Sequence, residues 1–186
     1  MNTLHREITN QIVTDFYDQP IMSNLARPHY IERMIILGLG DEWKLVSANW
    51  SGWDIESRDG IRVEVKQSAA RQAWADQPSL AGRTTKGRFD IAPRTGYWAE
   101  DGSRWIEMPG RPADIYIFAW HPVEDGQKAD HRDPAQWEFY VVPESELPAR
   151  QKSIGVKKVA KLWSPVAYAE LQHRLSKVVA DLSKVQ

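Results

Sequence analysis

Two short alternating segments around one turn carry the residues of this chain that could do chemistry. Residues 53–57 and 61–67 alternate apolar and polar side chains, and a short turn over 58–60 separates them. This pattern is typical of a β-hairpin. The hairpin carries two carboxylates and one ammonium group that could act together, those of Asp54, Glu64 and Lys66.

The length of the turn decides which residues face each other. A two-residue Asp-Gly turn would put Asp54 and Glu64 on opposite faces and would mix polar and apolar side chains on both. A three-residue loop pairs Asp54 with Glu64, and Gly60 supplies the positive φ that the last loop position needs. Because a one-residue shift exchanges the two faces, the alternation favours the three-residue loop. One predicted face holds Trp53, Ile55, Ile61, Val63 and Val65, and the other holds Asp54, Glu56, Arg62, Glu64 and Lys66.

This register places two carboxylates roughly 5 Å apart at Cβ. Like charges at that distance destabilise a sheet unless a positive charge lies between them. A divalent cation fits, because Mg²⁺ commonly binds one or two carboxylates together with water and phosphate oxygens. Lys66 follows two residues later on the same face and can contact such a site. The alternative is a solvated face on which Arg62 and Lys66 pair with the acidic residues.

The predicted elements around the hairpin extend the pattern. We expect a helix over 28–39, a strand over 43–48 and a buried strand over 113–120. With Asp54, nine intervening residues and then Glu64-Val65-Lys66, residues 28–142 resemble the PD-(D/E)XK nuclease superfamily. Trp53 stands where the proline that gives the family its name would be. The resemblance implies an α/β protein of restriction-endonuclease-like fold, with a central mixed β-sheet flanked by α-helices.

The same resemblance implies a role for each matching residue. Asp54, Glu64 and the backbone carbonyl of Val65 would hold Mg²⁺, for which Mn²⁺ would substitute. Lys66 would orient the attacking water and offset negative charge in the transition state. Glu32 matches an acidic residue on the first helix that binds or positions a metal ion. The alternative for Glu32 is a surface helix carboxylate.

The charge distribution says more about partners than the formal net charge of −1 does. Residues 58–94 hold eight Lys and Arg against four Asp and Glu, and residues 150–186 hold eight against two. A local basic surface can bind phosphates, or the acidic and basic segments can neutralise each other in the fold. Gln67, next to Lys66, is a candidate contact for DNA or water, although the register turns it towards the core. The loop after the hairpin holds the candidate nucleic-acid contacts, Arg71, Arg83, Lys86 and Arg88. These would bind the backbone, or the loop is simply solvated.

Length and composition limit the other function classes. The 186 residues suit a single domain over 1–186, with an N-terminal helix over 3–17 and a C-terminal helix over about 164–184. The absence of cysteine excludes disulfides, thiolate metal sites and a cysteine nucleophile. His121 and His131 fit no metal template and are expected in a polar surface loop. Most of the nine tryptophans should pack in the core, and one or two could stack on bases.

Together these features predict an Mg²⁺-dependent nuclease that hydrolyses phosphodiester bonds. By analogy with the superfamily we expect a DNA endonuclease of restriction, defence or repair type, with DNA favoured over RNA and a homodimer cutting both strands. No apolar run could span a bilayer and no signal peptide is visible, so we expect a cytoplasmic protein with no membrane partner. Two alternatives remain open. One is a catalytically inert module that binds nucleic acid or a partner on the same fold, and the other is an unrelated α/β domain.

Overall fold

A computed structural model of the protein describes residues 3–46, 51–76, 79, 82–99 and 101–184. Its main sheet has five strands in spatial order, namely β1 (Trp43–Leu45), β2 (Ile55–Ser57), β3 (Arg62–Ala69), β7 (Ile115–His121) and β8 (Glu138–Pro143). Strands β1, β2 and β3 are antiparallel, β7 is parallel to β3, and β8 is antiparallel to β7. The predicted α/β class with a central mixed sheet is confirmed. Of the predicted strand over 43–48, residues 47 and 48 lie outside the described residues.

Two short antiparallel ribbons accompany the main sheet. Strand β4 (Arg88–Asp90) pairs with β9 (Ser153–Gly155), and β5 (Arg94–Trp98) pairs with β6 (Trp105–Gly110). Residues 154–162 form part of β9 and the helix α3 (Val156–Leu162).

Two helices cover one face of the main sheet. Helix α2 (Ala26–Leu39) buries Ile31, Met34 and Ile35, whose spacing places them on one side of the helix. It ends at Gly40, which has a positive φ of 81°. Helix α4 (Leu171–Leu182) packs beside it through Leu171, Leu175 and Val178. Both helices contact a core formed by Ile55, Val63, Val65, Ile115, Ile117, Phe139 and Val141.

The opposite face of the sheet has a second apolar core. Phe118 of β7 packs against Phe89 of β4, with ring centroids 4.8 Å apart. Ile154 and Val159 of β9 and α3 belong to the same core. Because both faces are covered, every residue of β7 is buried, which explains its continuous apolar sequence.

The two terminal helices compare differently with their predictions. Helix α1 (Thr3–Phe16) agrees with the predicted helix over 3–17, but none of its residues is buried. The C-terminal helix was predicted from residue 164, and this is wrong because α4 begins at Leu171. Val166 and Phe139 exchange two backbone hydrogen bonds of 2.8 and 3.1 Å, which keeps the chain extended there. None of the helices in the described ranges is long and apolar enough to cross a membrane.

Candidate functional site

The hairpin that joins β2 to β3 has the predicted register. Ile55 pairs with Val63, and the amide of Ser57 donates to the carbonyl of Ile61 at 2.9 Å. Gly60 closes the three-residue loop with φ 81°. The ladder ends at the Ile55–Val63 pair, and Asp54 lies directly before it, so the predicted pairing of Asp54 with Glu64 stays a prediction.

One residue of the predicted core face lies elsewhere. Trp53 was expected beside Ile55, but its indole N–H donates to Glu56 at 3.0 Å and its ring lies 5.3 Å from the guanidinium carbon of Arg62. The reason is a bend before β2, where the amide of Asp54 donates to the carbonyl of Val63. This bond is out of step with the Ile55–Val63 pair, so the alternation of sides does not extend back to Trp53.

The carboxylate of Asp54 is the electrostatic centre of the site. Its Oδ2 accepts a hydrogen bond of 2.7 Å from the amide of Val65. Burial raises the pKa of Asp54 to about 7, and the charges of Glu64 and Glu32 add to this rise. The Val65 amide and the Lys66 ammonium act in the opposite direction. Asp54 thus lies among the charges of Glu64 and Lys66, and the charge of Glu32 also acts on it.

Two cations hold the carboxylate of Glu64, whose side chain is only 5% exposed. Lys66 Nζ is paired with Glu64 Oε1. Arg94 of β5 donates to the same oxygen through Nη2 at 3.2 Å. The sequence does not mark Arg94 as part of the site, since it stands 30 residues from Glu64 and only its place in the basic segment 58–94 points to it. Tyr116 is the register partner of Glu64 on β7, and burial together with Glu64 raises the pKa of its hydroxyl.

Glu32 is not a surface carboxylate. It lies on α2 with a side chain that is 12% exposed, and its Oε2 is 4.0 Å from His29 Nδ1. Its charge contributes to the raised pKa of Asp54, after burial and the charge of Glu64. Whether Glu32 contacts a metal ion stays a prediction.

The donor chemistry of the site suits a hard divalent cation. Within the described part of the chain, no group of three or more His, Asp or Glu side chains has the arrangement of a metal site. A cation would therefore rely on the two carboxylates of Asp54 and Glu64 and complete its shell with carbonyl, water or phosphate oxygens, as Mg²⁺ does. Burial first, and then the charges of Glu64 and Glu32, raise the pKa of Asp54 despite the nearby Lys66 ammonium. The residues fit such an ion, and the Val65 carbonyl stays a predicted ligand.

The four residues predicted to contact nucleic acid do not form a single cluster. Lys86 and Arg88 line a polar cleft at the end of β3. Arg83 is exposed in the loop that leads to them. The guanidinium of Arg71 lies against the turn at Gly126, where an added Cβ would meet its Nε at 3.0 Å. Gln67 faces away from Lys66, as predicted, and it also lines the cleft.

The two histidines set aside as surface residues are fully buried, so that prediction is wrong. Their rings lie 4.9 Å apart in an edge-to-face arrangement, and both contact Trp137. His131 Nδ1 accepts a hydrogen bond of 3.1 Å from the amide of Met22. Trp137 and polar partners, among them Gln136 and the Asp130 carbonyl, surround the two rings.

Comparison with known proteins adds no further constraint on function. No family model matches the chain, and no curated protein matches its sequence. The assignment of function to this chain depends on its own residues and their geometry.

Proposed function

We propose that this protein is a metal-dependent nuclease that hydrolyses phosphodiester bonds, in the first place a DNA endonuclease of restriction, defence or repair type. The observation that carries the proposal is the convergence of Asp54, Glu64 and Lys66 at one point of the hairpin. Burial and the charge of Glu64 raise the pKa of Asp54, and the Lys66 ammonium is paired with Glu64. This combination matches the needs of phosphodiester cleavage.

The charge at the site favours a cation over a purely structural ion-pair network. In a network that serves stability alone, the cations would hold the carboxylates ionised. Here the pKa of Asp54 is raised to about 7, so ionised Asp54 is unfavourable without a further positive charge. Clusters of titratable groups with strongly raised or lowered pKa values are typical of functional sites.

Each residue has a definite task in hydrolysis. A divalent ion held by Asp54 and Glu64 would supply a more acidic water and a polarised phosphate. Lys66 is placed to hold a water near Glu64 and to offset the charge that grows on the phosphate oxygens. Arg94 adds a second positive group from the ribbon side. The reaction consumes one water and yields one phosphomonoester and one hydroxyl group.

The fold supports the same proposal by analogy only. A helix followed by an antiparallel hairpin, with Asp and Glu-x-Lys near a mixed sheet, is the arrangement that the PD-(D/E)XK resemblance implies. A homodimer that cuts both strands of DNA belongs to this proposal too. The rival is an inert binding module on the same fold. The retained lysine beside two carboxylates argues against it, because binding alone needs no buried negative charge.

A plasmid-nicking assay tests the proposal directly. The wild type is compared with Asp54→Asn and Lys66→Met, with Mg²⁺ or Mn²⁺ and with EDTA. Lys44→Met is the matched control, since Lys44 is also a strand lysine paired with a glutamate, Glu56, at 3.6 Å. We expect metal-dependent nicking by the wild type and the control, and a loss of at least a hundredfold in the two site variants.

Two results would reject the enzyme. Tight DNA binding with no cleavage under either metal would favour the inert module. Equal cleavage by the wild type and both site variants would place any activity elsewhere or in a contaminant. An RNA substrate in a parallel assay separates the two nucleic acids.

A further inference from the structure

A second polar site lies at the end of β3, just beyond Lys66. It is a cleft of about 710 Å³ between the start of α2, the end of β3, the loop over 82–88 and the start of α3. We call it the Arg27 cleft. Four of its lining residues are cations, and no Asp or Glu occurs among the described residues that line it. The residues that matter here are Arg27, Gln67, Trp74, Lys86, Arg88 and Lys157.

Arg27 forms the floor of the cleft and is only 3% exposed. Its guanidinium donates to three amide side-chain oxygens, those of Gln67 at 2.5 Å, Asn24 at 2.9 Å and Gln72 at 3.2 Å. A guanidinium has five N–H donors and keeps its charge in proteins. All three partners are neutral, so among the described residues no carboxylate balances this buried charge.

The positive charge of Arg27 is therefore destabilised by its burial. Burial lowers its pKa to about 10, and its charge also lowers the pKa of His131 and His121. A buried charge without a partner is costly, because amide dipoles replace only part of the lost hydration. An anion entering the cleft would supply the missing charge.

The walls of the cleft are fixed on two sides. The amide and hydroxyl of Thr85 donate to the carbonyls of Ala70 and Ala69 at 2.9 and 2.7 Å, which ties the loop to the end of β3. Gly87 ties the loop to α3, since its carbonyl accepts from the amide of Val156 at 3.2 Å. Lys86 and Arg88 flank Gly87 in sequence, so these tethers hold their backbone at the mouth of the cleft.

We propose that the Arg27 cleft binds a phosphate group of a nucleic-acid strand, as a subsite separate from the centre formed by Asp54, Glu64 and Lys66. The proposal rests on the proposed function for the identity of the strand. Guanidinium groups bind phosphate in a bidentate manner, and two of the five N–H donors of Arg27 are not used by the amides above.

Position and size favour a nucleic acid over a small carboxylate. Gln67 and Ser68 of the cleft directly follow Lys66 on β3, so the two sites are adjacent along one strand. A cleft of this volume is large enough for a nucleotide, and Trp74 offers a half-buried ring beside it. A single carboxylate would engage one cation, whereas a strand with several phosphates engages Lys86 and Lys157 at the mouth as well.

Fluorescence anisotropy with short labelled DNA in EDTA tests the subsite without requiring cleavage. The strands carry a 5′-phosphate or a 5′-hydroxyl, and binding is measured over a range of salt. The variants are Arg27→Gln and Lys86→Ala/Lys157→Ala. The matched control is Lys158→Ala/Lys161→Ala. It also removes two positive charges, both from residues of α3 that do not line the cleft.

We expect the Lys86→Ala/Lys157→Ala variant to bind at least tenfold more weakly and to lower the salt slope by about two, while the control changes little. If the 5′-phosphate strengthens binding and Arg27→Gln abolishes that gain, the cleft takes a strand end. If the variants weaken both strands equally, it takes an internal phosphate. If Arg27→Gln does not fold, the comparison of Lys86→Ala/Lys157→Ala with Lys158→Ala/Lys161→Ala still tests the subsite.

Unchanged affinity and salt slope in the cleft variants, or an equal loss in the control, would overturn the subsite. That outcome is distinct from failure of the proposed function. DNA that is cut normally while the cleft variants bind like the wild type rejects the subsite alone. DNA that binds through the cleft but is never cut rejects the nuclease alone.

Discussion

The guanidinium of Arg94 donates to Glu64 Oε1 at 3.2 Å, and this bond joins the β5–β6 ribbon to the strand that carries the candidate centre. Lys66 is paired with the same oxygen. The Arg94 side chain is 46% exposed. The ribbon therefore contributes a half-exposed positive charge to the site.

Replacing Arg94 should affect catalysis more than folding. We expect Arg94→Ala to lower kcat for DNA cleavage by about tenfold or more, and Arg94→Lys to keep part of the rate. The melting temperature should hardly change, because a half-exposed ion pair contributes little to stability. Steady-state kinetics and thermal melts check both. Arg104→Ala, an exposed arginine near the same ribbon, is the control and should match the wild type in both measurements.

Neutralising Asp54 should stabilise the metal-free protein. The pKa of Asp54 is about 7 in the folded chain, against the ordinary 3.8, so ionisation of this group opposes folding as the pH rises through that interval. Asp54→Asn removes the charge and keeps an oxygen for the Val65 amide. In EDTA at pH 8 we expect a gain of about 1 kcal/mol or more in the free energy of unfolding, shrinking towards pH 4.

Urea denaturation at the two pH values measures this effect. Asp59→Asn in the exposed hairpin turn is the control and should change stability by less than about 0.5 kcal/mol. A less stable Asp54→Asn protein at pH 8 would mean that the Asp54 charge is already compensated.

His131 should make the folded protein less stable as the pH falls, whereas Asp54 makes it less stable as the pH rises. Burial lowers its pKa from 6.5 to about 3, so the unfolded chain binds a proton there before the folded chain does. Stability should therefore fall as the pH drops from about 6.5 to 3, by up to about 1.4 kcal/mol per pH unit. Unfolding is best followed in the Asp54→Asn background, where the opposing titration is absent.

The matched variant for this test is His131→Asn. Its side-chain oxygen can accept the Met22 amide, and it does not titrate. We expect a flatter dependence of stability on pH in that variant. The same steep acid loss in both proteins would assign the effect to other groups.

Gly87 should be essential for the loop that forms the Arg27 cleft. It has φ 62°, and an added Cβ would lie 2.5 Å from carbons of Trp120 and Val156. We expect Gly87→Ala to displace the loop, to cost about 1–3 kcal/mol and to weaken DNA binding. Gly60→Ala is the control, since Gly60 has a similar φ of 81° but nothing within 4 Å of an added Cβ.

Denaturation and anisotropy on the two glycine variants separate backbone strain from steric displacement. Both should lose some stability, and only Gly87→Ala should lose affinity for DNA. Equal binding by both would show that the loop tolerates the displacement.

The alternation of apolar and polar residues predicted the features that depend on residues close together in the sequence. The hairpin register followed from the two faces and from one glycine, and the structure has that register. The shared face of Asp54 and Glu64 was predicted in the same way and stays a prediction, because Asp54 lies just outside the ladder. Trp53 was misplaced because a single bend ends the alternation, and periodicity does not reveal where a strand ends.

Features that depend on distant residues were not predictable. Nothing local marks Arg94 as a partner of Glu64, or Val166 as the residue that extends the chain beside Phe139. His121 and His131 lie in a polar stretch, yet Trp137 folds over them. Long-range packing decides such positions, and a period of two or 3.6 residues carries no information about it.

The parallel pairing of β3 with β7 has a kinetic consequence. Val63 is paired with Ile115, so the hairpin that carries Glu64 and Lys66 joins the buried strand β7 only after a long segment of chain has been brought back to it. Closing so long a loop costs entropy before any contact repays it. Refolding should thus take milliseconds to seconds, and an isolated peptide spanning the hairpin should form no stable ion site of its own.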